Sequence, residues 1–338
     1  MEQSFIAGDP QPLPFAETHP AWCAGYGRAG NWLSIGASVI GSRHLRHYRA
    51  RDDAFVLMGA GGYLIVAVAD GVGGQMYSRI GAAHCVNVVC REILGQMCVP
   101  HVRRIGIDDF DPATLRRELS ALGIPRNTPI LHPITAVAAP EVNWSASGTF
   151  RWNWQPYNRR FPTDLFEDED LPPAPPSLRV ALVRAFEATR ASLAALAASL
   201  RLKLMHFTST LLVVVTDVSS GASAAAQLGD GAILCVDTLQ PVVLPPPRTD
   251  EDNPYTIALD DWRDGMVLTE SAVPPSSGWL LVTDGALQFF PECGSACRTL
   301  LTQPADPAQQ SVQLLQWLHG LSKTDWEDDR TVAAILTP

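Results

Sequence analysis

The sequence predicts an α+β protein, and three observations carry that prediction. Strand-like runs gather toward both ends of the chain, two long helical segments lie between them, and nowhere do strands and helices alternate as β-α-β-α. The coarse order is β-rich, two helices, β-rich, helix, β, which excludes a doubly wound parallel sheet. With 338 residues, 46% of them hydrophobic, the chain can bury a large core. We divide it into an N-terminal arm over residues 1–29 and one domain over residues 30–338, with residues 101–177 as an insertion.

The arm is rich in Pro, Gly and small polar residues. Strands are predicted to begin near Trp32. Ala54–Met58 and Tyr63–Ala69 flank a Gly-Ala-Gly-Gly turn and read as a hairpin; the second is a short β-branched run closed by Asp70-Gly71-Val72-Gly73-Gly74. Apolar residues from Met76 to Cys98 recur at helical spacing, and Leu178–Leu204 is dense in Ala, Leu and Arg, all helix formers. Phe207–Thr216 is a strong strand. Ser223–Leu228 and Ala232–Val236 flank Gly229-Asp230-Gly231 and read as a second hairpin. Met266–Thr269 and Trp279–Thr283 follow as strands. Asp306–Leu321 is a helix with Pro307 in its first turn, and Thr331–Leu336 is the last strand. Between the two long helices the sequence changes character, with many prolines, Trp144, Trp152, Trp154 and the acidic-to-proline tract Phe166–Pro176. Only a short helix at Pro112–Leu122 is predicted there.

Composition narrows the function classes. The net charge of −10, with Arg supplying nearly all the positive charge, argues against a nucleic-acid partner. No apolar stretch reaches the ~18–20 residues needed to cross a bilayer, and no basic region followed by an apolar run opens the chain. The seven cysteines form no CxxC pair and no zinc-type spacing. Reduced thiols and a cytoplasmic location are therefore expected, with neither nucleic acid nor membrane as partner. Cys85 and Arg91 have the spacing of a cysteine phosphatase. The residues between them are apolar and lack the glycines of a phosphate-cradling loop.

The chemistry is expected at acidic residues that share one kind of position. Asp53 precedes a strand, Asp70 ends one, Asp284 ends Trp-Leu-Leu-Val-Thr, and Asp328 and Asp329 come just before Thr331–Leu336. Buried strands hold their end residues rigidly, and a following Gly lets an ion or backbone approach. Carboxylates gathered from several strand ends repel one another unless a cation lies between them, and an oxygen-only set suits Mg²⁺ or Mn²⁺. A single Asp-Gly is more often a turn than a ligand; the ordered set is what points to metal.

That set resembles the metal-dependent protein phosphatases of the 2C type, which act on phosphoserine and phosphothreonine. The matching residues are Asp52-Asp53-Ala54, Asp70-Gly71-Val72-Gly73-Gly74, Thr208-Ser209-Thr210, Gly229-Asp230-Gly231, Thr283-Asp284-Gly285 and Asp328-Asp329-Arg330-Thr331. The resemblance spans about residues 36 to 336 outside the insertion. It implies a four-layer α/β/β/α sandwich of two antiparallel sheets flanked by helix pairs, with two Mg²⁺ or Mn²⁺ ions in a cleft at one end. Asp70 would bridge both ions, with the Gly71 carbonyl helping the second. Asp284 and Asp328 would complete the first, and Asp52 would serve the second through water with Asp53 beside it. The ions would activate a water that attacks phosphorus directly. The implied substrate is a phosphorylated protein, and the implied partner a Ser/Thr kinase or its target.

Three departures qualify that expectation. Val72 stands where several members of that family have a histidine acid; His44, His47 and His206 are the substitutes by position, though each also reads as a surface or structural histidine. Gln288 stands where an aspartate often pairs with the Asp230 position, so a third ion at Asp230 is expected to bind weakly or not at all. The usual place of a phosphate-gripping arginine falls on Tyr48. Arg43, Arg46, Arg49 and Arg51 surround it, and Arg43 or Arg46 is the candidate for that role, since a guanidinium's planar fork suits phosphate. The alternatives to an active protein phosphatase are a pseudophosphatase acting as a scaffold and a hydrolase of other phosphoesters.

Overall fold

The computed structural model describes residues 21–97 apart from 30, 48, 61 and 76, and residues 176–242, 254–272, 277–321 and 327–337. The insertion up to residue 175, its expected helix at Pro112–Leu122, and Tyr48 lie outside the described residues.

Two five-stranded antiparallel sheets form the centre. One holds β1 (Trp22–Ala29), β2 (Trp32–Val39), β10 (Arg330–Leu336), β9 (Gly278–Val282) and β7 (Ala232–Cys235), in that order. The other runs β3 (Ala54–Ala60), β4 (Tyr63–Ala69), β5 (Leu211–Asp217), β6 (Ser223–Leu228) and β8 (Val267–Ser271). Helices α2 (Ser78–Met97) and α3 (Leu178–Ser199) pair on the second sheet, while α5 (Phe290–Thr302) and α6 (Pro307–Gly320) cover the first. Short helices α1 (Ser42–Arg46) and α4 (Asp284–Leu287) lie at strand ends.

Strand periodicity explains the layering. On β4, Leu64, Val66 and Val68 join the core between the sheets, whereas Ile65, Ala67 and Ala69 join the core under α2 and α3. On β10, Ala333 and Ile335 face the other sheet, while Val332, Ala334 and Leu336 face α5 and α6. Side chains alternate along a strand, so a strand covered on both faces reads as an unbroken apolar run. Three apolar interfaces thus hold four layers together, which is the α+β sandwich expected.

The hairpin of β3 and β4 forms as predicted, with Ala54 opposite Ala69. The second predicted hairpin does not. β6 and β7 belong to different sheets, so Gly229-Asp230-Gly231 carries the chain from one layer to the other. Trp22–Ala29, read from the sequence as part of the arm, pairs with β2 along its whole length. The long helix expected to Leu204 stops at Ser199, and α5 was not predicted. Helix α6 starts as predicted, with Asp306 Oδ2 accepting from the Gln309 N–H at 3.2 Å and Pro307 in the first turn.

Candidate metal centre

The β4–α2 connection is the first wall of the site. Asp70 leaves β4 with its N–H donating to Thr210 Oγ1 at 2.9 Å, and its carbonyl accepts from the Thr210 N–H at 2.9 Å. Gly71 bridges to Ser209. A Cβ on Gly71 would lie 2.7 Å from the Ser78 carbonyl carbon, so only glycine lets α2 begin so close to the strand end. A Cβ on Gly73 would lie 2.6 Å from a guanidinium nitrogen of Arg43. The glycines thus make room for a helix on one side and a cation on the other.

Asp284 opens α4 directly after β9, and Asp328 lies just before β10. These three carboxylates share a cleft of about 700 Å³ with Asp230 on its exposed rim. Val72 also lines it. The opposite wall is the α1 segment, which contributes Arg43, His44, His47 and Arg49. Arg43 crosses to Asp328 at 3.1 Å. Arg46 is exposed and does not line the cleft. Gln288 folds its amide back onto the Gly285 carbonyl at 2.9 Å.

Asp52 and Asp53 are buried behind the cleft rather than lining it. Asp53 Oδ2 accepts from Thr331 Oγ1 at 2.6 Å and from Thr283 Oγ1 at 3.0 Å. Its other oxygen has no protein hydrogen-bond donor. Burial first, then the charge of Asp329, push its carboxyl up to about 8. Burial and the neighbouring charges of Asp53, Asp284 and Asp328 raise Asp70 well above the usual carboxylate range. Asp284 is raised by burial and by Asp328. Asp52 accepts from Arg49 at 3.3 Å and from Ser78 at 3.4 Å, and burial pushes it up to about 6. Four acids held above their usual range by burial, with Asp53 and Asp284 adding to the shift of Asp70, form a donor set that fits hard divalent cations.

Asp329 behaves in the opposite way. Gly41 donates its N–H to Oδ1 at 2.7 Å, and Asp52 donates its N–H to Oδ2 at 2.5 Å. His44 Nδ1 lies 3.0 Å from Oδ2. Burial would raise this carboxyl, but the bond and charge of His44, with the two N–H groups, hold it below the usual range. The sequence places Asp329 in the Asp328-Asp329-Arg330-Thr331 motif without a role of its own, and offers His44 as a proton donor by position or a structural histidine. The adjacent acids before β10 were the signal available for Asp329. His206, the third histidine considered, lies outside the cleft.

The rival cysteine chemistry has no structural footing. Cys85 and Arg91 both lie on α2; the Cys85 thiol is fully buried, and burial pushes it up to about 12.

The sequence model of the protein phosphatase 2C family matches residues 40–121 and 160–319. The chain belongs to the protein phosphatase 2C family. Comparison with curated proteins found no match. Among solved structures, this phosphatase 2C member is similar to PppA of Pseudomonas aeruginosa, described as a key regulatory component of T6SS, at 15% identity over 94% of this chain and 100% of that one, TM-score 0.48. It is similar to the S. agalactiae serine/threonine phosphatase at 14% identity, covering 91% of this chain and 100% of that one, TM-score 0.49. RsbX in complex with magnesium matches at 10% identity, covering 93% and 100%, TM-score 0.44. No helix among the described residues is long and apolar enough to cross a membrane.

Proposed function

We propose that this phosphatase 2C member is a metal-dependent protein phosphatase that hydrolyses phosphoserine and phosphothreonine. The observation that carries the reading is the meeting of Asp70, Asp284 and Asp328 in one open cleft, opposite a wall of arginine and histidine. Asp70, Asp284 and Asp328, with the Gly71 carbonyl, are the residues that would hold two Mg²⁺ or Mn²⁺ ions. Divalent ions in such a site lower the pKa of water and offset charge on phosphoryl oxygens.

The chain's own residues supply the rest. Thr283 and Thr331 fix Asp53, which in turn backs Asp70. Asp52 stands one layer away, held by Arg49 and Ser78. Arg43, already paired with Asp328 at the cleft, is placed to exchange that partner for a substrate phosphate. Val72 can neither donate nor accept a proton through its side chain, so the leaving oxygen takes its proton from elsewhere. Asp230 sits on the rim without an acid at Gln288, which supports weak occupancy of a third ion. The open cleft suits a residue presented on a protein segment, and a phosphorylated protein, a kinase or its target, is the proposed partner.

The test is release of phosphate from a phosphothreonine peptide with and without Mn²⁺, beside an Asp284→Asn variant. We expect Mn²⁺-dependent turnover that falls about 10²-fold or more in the variant, the scale for removing one preorganised electrostatic group. Native protein that binds Mn²⁺ yet releases no phosphate would favour a scaffold role instead. Turnover unchanged in Asp284→Asn would overturn the site assignment.

A further inference from the structure

We propose that His44 is a nitrogen ligand of the metal centre, making it a mixed nitrogen–oxygen site rather than an all-oxygen one. The inference rests on the reading that the cleft carboxylates hold divalent ions. His44 is buried, 1% exposed, and its two ring nitrogens have different surroundings. Nδ1 meets Asp329, whose oxygens already accept from the Gly41 and Asp52 N–H groups, so Asp329 is an acceptor throughout and Nδ1 is the donor. That places a proton on Nδ1 and directs Nε2 toward the acids. Nε2 has no hydrogen-bond partner, although it lies 3.7 Å from Asp328 Oδ1 and 3.8 Å from Asp52 Oδ2.

Between two carboxylates Nε2 needs positive charge beside it, either a proton on the ring or a metal ion that takes the proton's place. Ions of the first transition row bind imidazole nitrogen and carboxylate oxygen at about 2.0–2.2 Å, so two atoms sharing one ion stand roughly 3–4 Å apart. Both observed separations fall in that range. The carboxylate–histidine pair behind the ion is the usual way a protein orients a histidine ligand and raises its basicity. Asp329 serves here as that positioning residue, and α1 exists to deliver His44: Gly41 caps it, and the Arg43 N–H is held by the Glu327 carbonyl at 3.0 Å. Imidazole favours Co²⁺, Ni²⁺ and Zn²⁺ over Mg²⁺ far more than carboxylate does. The centre should therefore discriminate against Mg²⁺ more strongly than its aspartates alone would.

The direct test is pulsed electron paramagnetic resonance of the full chain loaded with Mn²⁺, grown with ¹⁵N-histidine. A directly bound ¹⁵N is expected in the native protein and in His47→Asn, the other histidine lining the cleft. It should vanish in His44→Asn, whose amide can still donate to Asp329. Calorimetry with Co²⁺ and Mg²⁺ is the second readout: His44→Asn should weaken Co²⁺ about tenfold or more, on the scale of disturbed ligand shells, and change Mg²⁺ little. Mn²⁺ bound with no histidine coupling in the native protein would overturn the proposal while leaving the phosphatase reading intact. Coupling that survives in His44→Asn, or equal losses for Co²⁺ and Mg²⁺, would do the same. Failure of the native protein to bind any of these ions would overturn both.

Discussion

The two walls of the cleft are built by different means. The acidic wall hangs on strand ends: Asp70 at the end of β4, Asp284 just past β9, Asp328 just before β10. Each strand is locked by ladder hydrogen bonds and by apolar cores on both faces. The basic wall is one short helix and the loop after it, anchored through Gly41, Asp329 and Glu327. Rigid scaffold fixes charges that repel one another; a lightly anchored segment brings the cations that face them. The difference teaches a division of labour. Repulsion must be borne by elements with large burial behind them, while recognition can sit on a segment whose position depends on a few polar contacts.

The contrast breaks most sharply at Asp70. Asp70→Asn should remove several kcal/mol of transition-state stabilisation, or about 10³-fold in phosphopeptide turnover. The same change should raise the melting temperature of the metal-free protein, because it relieves repulsion. The basic wall breaks through its anchor instead. Asp329→Ala strands His44 and the N–H groups of Gly41, Asp52 and Asp53 in the interior, and should cost about 3 kcal/mol, the lower range for breaking a buried charged pair, in urea unfolding.

Metal-free stability should also depend on pH. Burial sets Asp53 at about 8 and Asp52 at about 6, against about 3.9 for an unfolded aspartate. The folded state then keeps protons that the unfolded chain has released, so stability falls as pH rises between about 4 and 8. His44 acts with the same sign: burial would lower it, but Asp329 carries it above its usual value. Unfolding free energies at pH 5 and pH 8 should differ by on the order of 5 kcal/mol, and saturating Mn²⁺ should flatten the slope. Smaller effects belong to the edges of the walls. Arg43→Met should raise KM for the phosphopeptide about tenfold, the worth of one charge-assisted bond. Asp230→Asn should change turnover less than about threefold, as expected of an exposed carboxylate.

Legibility in the sequence follows the same division. Strands such as Tyr63–Ala69 and Leu211–Asp217 are β-branched runs, and α3 is rich in helix formers, so their patterns suffice. The acids at their ends could be found from those strands. β1 could not: Trp-Cys-Ala-Gly-Tyr-Gly-Arg-Ala has no β-branched residue, and it is a strand because β2 pairs with it. The Gly229-Asp230-Gly231 link has the spacing of a hairpin, and only tertiary packing sends its two strands to different sheets. α1 is five residues long and reads in sequence as a cluster of basic residues. The partnership of His44 with Asp329 spans most of the chain, and no local pattern announces it.

Calorimetric titration of Mn²⁺ at pH 7, in two buffers of different ionisation enthalpy, tests the central claim most directly. If the raised acids form the metal centre, Mn²⁺ binds the native protein and displaces the proton held by Asp53, so the apparent enthalpy changes with buffer; Asp70→Asn abolishes the tight phase. Mn²⁺ that fails to bind, or binds Asp70→Asn and native protein alike with no proton release, would contradict the account.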